Sequence, residues 1–348
     1  MAESRARAEA LAAEQSVEMP LAAIRDARVL AEIVATVESI RPQGEHFEVV
    51  LGIAPATTGH EASQLANMLF GNCSLQPEVE LVDVAFPAGY EKSFAGPRFG
   101  IDGLRTLTGA QGRPLTCTAL KPQGAPVAHL AALARTFALA GIDVIKDDHG
   151  IANQSYGSFA ERVPAVQRAV TDANRESGGR TIYAPTFSGG PLALAAQTRI
   201  AKEQGVRLAL VAPMLVGLPA FVELQAELDL PVLAHPAFAG ANRIAPAVLL
   251  GKLFRLFGAD ATIFPNHGGR FSYDRDTCLA IARAAREPWN DVRATLPVPA
   301  GGMSVERVAE MVADYGNEVM LLIGGGLLTA GDQLGRASRE FVKAVAIK

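Results

Sequence analysis

A basic excess is absent from this 348-residue chain, in which 32 Lys and Arg face 36 Asp and Glu for a formal net charge of −4. Without surplus cations it is not a nucleic-acid binder that works by bulk neutralisation of phosphates. Cysteine is scarce: Cys73, Cys117 and Cys278 lie far apart with no CxxC spacing. That excludes a disulfide framework and a thiolate zinc site, and it fits a reducing cytoplasm. A long apolar run is missing too. The apolar stretch at residues 208–222 contains Pro213 and Pro219 and falls short of the roughly 18 residues a membrane span needs. No membrane partner is expected, and the charged first 19 residues do not read as a signal peptide.

What is present is core-forming. Apolar residues make up 49% and charged residues 20%, which excludes disorder as the main state. The length suits about two domains, or one large α/β barrel with an appendage. Residues 6–14 read as a helix, 29–40 and 47–53 as strands joined through a turn at 41–44, 61–70 as a helix ending at Gly71, and 79–86 as a third strand. This is a small ferredoxin-like α+β domain over residues 1–100, closed by a Gly- and Pro-rich linker from Pro87 to Gly100.

From about Pro114 the rhythm changes. Eight apolar runs, at 115–120, 144–146, 181–185, 207–213, 231–234, 261–265, 296–299 and 319–323, alternate with helical stretches. Eight βα units predict a (β/α)8 TIM barrel over residues 101–348. An open doubly wound sheet is the competitor, but no GxGxxG opens a helix.

In such a barrel chemistry sits where strands end. The second run ends on Lys146-Asp147-Asp148-His149. Side chains alternate along a strand, so Lys146 and Asp148 share a face while Asp147 points away. A lysine and a carboxylate at the mouth, followed by His149, hold a divalent cation, share a proton, or simply form an ion pair closing the barrel top. Lys121, ahead of Pro122, is a proton-transfer group, a Schiff-base nucleophile, or a solvated rim lysine. His235 is a general acid/base or a satisfied structural residue, and His46 and His129 have no catalytic role. The glycines after runs seven and eight (Gly301, Gly302, Gly324, Gly325) are tight turns or a phosphate site, and their place on those two strands favours phosphate.

These residues resemble a known family. Lys146-Asp147-Asp148-His149 after Gly141-Ile142-Asp143 resembles the lysine–aspartate–aspartate–glutamate stretch of RuBisCO. Gly96-Pro97-Arg98-Phe99-Gly100-Ile101, Leu120-Lys121-Pro122, Ala300-Gly301-Gly302 and Gly324-Gly325-Gly326 fall in the family's order. Ala12-Ala13-Glu14-Gln15-Ser16 and Phe70-Gly71-Asn72 resemble its N-domain segments. The likeness is closest to the RuBisCO-like proteins, form IV, and spans almost the whole chain.

The resemblance implies the following. Lys146 takes up CO2 as a carbamate and ligates Mg2+ with Asp148 and the residue at position 149. Lys121 moves the proton during enolisation, and His235 lies near the substrate oxygens. Gly301, Gly302, Gly324 and Gly325 bind a phosphate. Glu14 and Asn72 reach into a neighbouring subunit's barrel, making a homodimer the minimal active unit.

Departures narrow this. His149 replaces the glutamate ligand, and imidazole suits zinc, manganese or iron better than magnesium. Gln123, Pro236 and Ala239 replace residues that help bind a second phosphate, and the family's mobile-loop lysine has no matching position, although Arg270 lies near. The chain also opens at the helix where the family's N-domain begins with a strand.

The expectation is a cytoplasmic lyase or isomerase, not a carboxylase, that forms an enolate from a singly phosphorylated keto sugar or sugar acid. Decarboxylation or C–C cleavage of a 3-oxo sugar-acid phosphate, as in apionate breakdown, ranks first. Enolisation or isomerisation of a methylthio-sugar phosphate in methionine salvage is the alternative. A Schiff-base aldolase and a non-catalytic RuBisCO-like protein follow.

Overall fold

The computed structural model describes residues 2–346; Met1, Ile347 and Lys348 lie outside the described residues. Two compact units emerge, one of residues up to Phe94 together with Ala241–Ala245, the other of Ala95–Gly240 with the residues from Pro246 onward.

The first unit opens with the helix Ala2–Ser16, followed by a short helix Ala27–Glu32, the antiparallel pair β1 (Thr36–Gln43) and β2 (His46–Gly52), and the helix Ala62–Phe70. The strand expected from residue 29 therefore starts at Thr36. Asp26 accepts from the backbone N–H of Arg28 at 2.8 Å and caps a helical turn over the residues in between. The expected third strand at 79–86 does not form. Leu81 makes only an isolated bridge to Ile244, and Val82 is exposed, so no ladder partner lies alongside. Gln15, buried, ties the first helix to the third: its Nε2 donates to the carbonyls of Asn67 and Met68, and its Oε1 accepts from Cys73 N–H.

In the second unit all eight expected runs are parallel strands. They are β3 (Leu115–Leu120), β4 (Val144–Asp147), β5 (Ile182–Ala184) continued after Pro185 by β6 (Thr186–Phe187), β7 (Ala209–Val211), β8 (Val232–Ala234), β9 (Ala261–Pro265), β10 (Leu296–Ala300) and β11 (Met320–Leu322). Ladders run β11-β3-β4-β5 and β6-β7-β8-β9-β10, and β10 lies beside β11 to complete the ring. Pro185 splits the third strand because it has no N–H to offer, although its carbonyl still accepts from Leu210 N–H at 2.9 Å. This is a (β/α)8 barrel.

The sequence places the boundary between units at 100/101, whereas the compact units divide at 94/95. Asp260 explains the difference. Its Oδ1 accepts from the N–H groups of Phe99 and Gly100, 2.7 Å each, and its Oδ2 from Val232 N–H at 2.8 Å. The last residues of the Gly- and Pro-rich linker are thereby tied to the barrel.

The barrel interior takes Leu115 and Cys117 from β3, Val144 from β4, Ile182 and Ala184 from β5, Leu233 from β8, Ala261 and Ile263 from β9, Val298 and Ala300 from β10, and Met320 and Leu322 from β11. The period of two carries this inward set towards the C-terminal mouth as Lys121, Lys146 with Asp148, and His235.

Candidate active site at the barrel mouth

Lys146 is buried, and its neighbours in register are Ala119 on β3 and Ala184 on β5, whose small side chains leave room for a long one. Its Nζ donates to the Asp147 carbonyl at 2.9 Å. Burial, with the Lys121 charge adding to it, pushes the ammonium down to about 8 despite the opposing pull of Cys117 and Asp147. A neutral amine is therefore accessible near neutral pH.

Asp147 points outward, as the alternation requires. In full burial it accepts from Arg162 Nε (3.1 Å), Tyr183 Oη (2.8 Å) and Thr186 N–H (3.0 Å). It is a structural carboxylate joining β4 to the helix Phe159–Ser177.

Asp148 is the hub of the mouth. Its Oδ2 is ion-paired with Lys121 Nζ and its Oδ1 lies 3.0 Å from His149 Nδ1. Burial first, then the Arg270 charge, pulls Lys121 below the usual lysine range. His149 stacks on His235 with ring centroids 4.4 Å apart and planes 13° from parallel. His235 Nδ1 accepts from Ala237 N–H at 3.1 Å, so the proton of a neutral ring sits on Nε2. Burial, with Lys146, His149 and Lys121 nearby, pushes His235 down to about 2. That shift and the bond at Nδ1 favour a neutral ring with an Nε2–H to donate.

Glycine turns border this cluster. Gly301 and Gly302 have φ of +89° and +84°, in the left-handed region where a side chain is strained. A Cβ on Gly302 would also meet Arg270 N at 2.9 Å. On the other side, a Cβ on Gly324 would lie 3.7 Å from Lys121 Cε, and Gly325 begins the next helical turn. Lys121, Lys146, Asp148, His149 and His235 are thus gathered at one end of the barrel, with Arg270 and the late glycines beside them. Glu14 and Asn72 are brought to each other in the first unit, Asn72 Nδ2 donating to Glu14 Oε1 at 2.9 Å.

The positions that resemble magnesium ligands supply one carboxylate, one imidazole and an ammonium. Both Asp148 oxygens already face cationic or N–H donors. Magnesium takes oxygen ligands and tolerates few substitutes, so this donor set as it stands does not fit it. Imidazole with carboxylate suits a borderline transition ion.

Strand ends alone did not single out the network around Asn266, His267 and Asp314, although His267 precedes Gly268-Gly269-Arg270. Asn266 is fully buried and its Oδ1 accepts from Tyr315 Oη, while His267 Nε2 lies 2.9 Å from Asp314 Oδ2. Tyr315 and Asp314 lie some fifty residues on, so spacing carries no signal of the pairing.

Residues 100–344 match the family model described as the ribulose bisphosphate carboxylase large chain, catalytic domain. A 5-methylthioribulose-1-phosphate isomerase of Rhodospirillum rubrum is 53% identical over 98% of this chain and 92% of its own. The ribulose bisphosphate carboxylase-like protein 1 of Rhodopseudomonas palustris is also 53% identical, over 99% of this chain and 94% of its own. A crystal structure of a Rubisco-like protein from Rhodopseudomonas palustris superposes with a TM-score of 0.93 at 49% identity, covering 99% of this chain and 94% of that one. No helix among the described residues is long and apolar enough to cross a membrane.

Proposed function

Because the chain belongs to the ribulose bisphosphate carboxylase large-chain family, in its RuBisCO-like branch, we propose that it isomerises a methylthio-substituted ketose phosphate through an enolate. The observation that carries this reading is the shared carboxylate: Asp148 holds Lys121 and His149 on its two oxygens, beside a neutral His235. Isomerisation needs one group to take a proton next to a carbonyl and a donor to stabilise the oxyanion that results.

Lys121, lowered by burial and by Arg270, is the base in its neutral form and the acid once protonated. His235 Nε2–H and the Lys146 ammonium face the developing negative oxygen. The proton taken from one carbon returns to another, so atoms balance without an oxidant or a second substrate. Arg270 and the N–H groups at Gly301, Gly302, Gly324 and Gly325 receive the single phosphate. The named isomerase favours this reading over cleavage of a 3-oxo sugar-acid phosphate. Glu14 and Asn72 complete the site from a second copy in a homodimer.

The test is a proton-exchange assay in D2O. Purified enzyme with 5-methylthioribulose-1-phosphate should give an isomer carrying solvent deuterium. Release of CO2 from a 3-oxo sugar-acid phosphate, with no change in the methylthio substrate, would replace this reading. A borohydride-trapped covalent adduct would replace it with a Schiff-base aldolase.

A further inference from the structure

The segment after β9 is tied down residue by residue. Pro265 O accepts from Cys278 Sγ at 3.3 Å, and Asn266 N–H donates to Ala300 O at 2.8 Å. The Asn266 side chain accepts from Tyr315 Oη and donates to Met303 Sδ. The His267 carbonyl accepts from Arg307 Nη2 at 3.0 Å, and its ring meets Asp314 at 2.9 Å. Gly268 turns at φ +64° against the Arg307 guanidinium. Gly269 packs so closely on the Gly301 carbonyl that a Cβ would stand 1.9 Å from it. Arg270 N–H then donates to that same carbonyl at 3.0 Å.

Phe271 follows, half-exposed, its ring close enough to Gly301 that a Cβ there would meet it at 2.9 Å, and the Arg270 guanidinium lies 5.4 Å above that ring. A cation at the barrel mouth therefore stands at the end of a rigid arm.

The outer anchor of that arm is His267 on Asp314. Asp314, with its side chain 8% exposed, also accepts from Arg275 Nη2 at 2.6 Å and Nε at 3.0 Å. Glu310, 3.8 Å from His267 Nδ1, is held by Arg307 at 2.7 and 2.9 Å. Each carboxylate already has a guanidinium partner, so the cluster needs no metal ion to neutralise it. Arg275 begins the helix after β9, and Asp314 lies in the helix after β10. Their pairing couples the two βα units that carry Arg270 and the Gly301–Gly302 turn.

We propose that the His267–Asp314 pair is a latch that positions Arg270 against the Gly301–Gly302 turn, so that the anion cradle is assembled before ligand arrives. The proposal rests on reading that rim as the phosphate site. Neither latch residue touches the ligand, so both are positioning residues. Preassembly matters because a backbone fixed in advance at Arg270 leaves only its side chain to be ordered on binding.

Inorganic phosphate, titrated calorimetrically into the full-length protein, tests this without any turnover. His267→Ala and Asp314→Ala should each weaken phosphate binding by about tenfold. His267→Gln, which keeps a donor for Asp314, should retain most of the affinity. In an Arg270→Ala background, His267→Ala should cause no further loss, because the pair acts only through Arg270. Additive losses in the double variant, unchanged affinity in the single variants, or no phosphate binding by the unmodified protein would each overturn the proposal. If Asp314→Ala fails to fold, the comparison of His267→Gln with His267→Ala decides the matter. Phosphate binding without turnover of the methylthio ketose phosphate would overturn the functional reading and leave this one standing.

Discussion

The imidazole rings of His149 and His235 lie face to face, 4.4 Å between centroids, and His235 spends its Nδ1 lone pair on the backbone N–H of Ala237. Two stacked rings beside two lysines cannot easily accept protons, so the pair is held neutral by its surroundings.

A pH dependence follows with a definite sign. His235 has an ordinary value of 6.5 and is lowered to about 2 in the folded chain. Between these values the unfolded chain binds the extra proton, so stability falls as pH drops through this window. His235→Asn removes that dependence. Its melting temperature should decline less steeply than that of the unmodified protein between pH 7 and pH 4. Parallel curves for the two proteins would show that His235 is not held neutral.

Lys121→Ala should lower kcat on the methylthio substrate by about 10²–10⁴-fold, the range of a lost acid–base group. Inorganic phosphate should still bind, because the glycine turns and Arg270 remain. An unchanged kcat would remove Lys121 from the mechanism.

The outward carboxylate makes a contrasting prediction. Arg162 and Asp147 form a fully buried pair. Arg162→Met leaves an uncompensated charge and should destabilise the fold by about 3–5 kcal/mol, measured by urea unfolding. The mouth residues lie on the opposite side of β4, so kcat of the folded fraction should change little.

Metal preference should follow position 149. His149→Glu restores an oxygen donor and should raise affinity for Mg2+ relative to Mn2+. Competition against the Mn2+ electron paramagnetic resonance signal reads this directly, without turnover. An unaltered ratio would mean that residue 149 is not a ligand.

Much of the barrel was legible because its signals are local. Short apolar runs alternating with helical stretches mark the strands, and the period of two assigns Lys146 and Asp148 to one face and Asp147 to the other. The same locality misled at residues 79–86, where the run is apolar enough for a strand. A ladder needs a partner, and the bridge at Leu81 comes from Ile244, far along the chain. Residues 29–32 look extended by composition, yet one capping bond from Asp26 winds them into a helix.

The sequence alone determined which side chains stand at strand ends, and hence the lysines, the carboxylate and the glycines available for chemistry, because alternation is a property of the strand itself. Only the tertiary structure decided that Asp148 is shared by Lys121 and His149, that His235 is neutral with its proton on Nε2, and that His267 meets Asp314. Those are contacts between residues on different strands and helices, and their electrostatics depend on burial, which exists only once the barrel has closed.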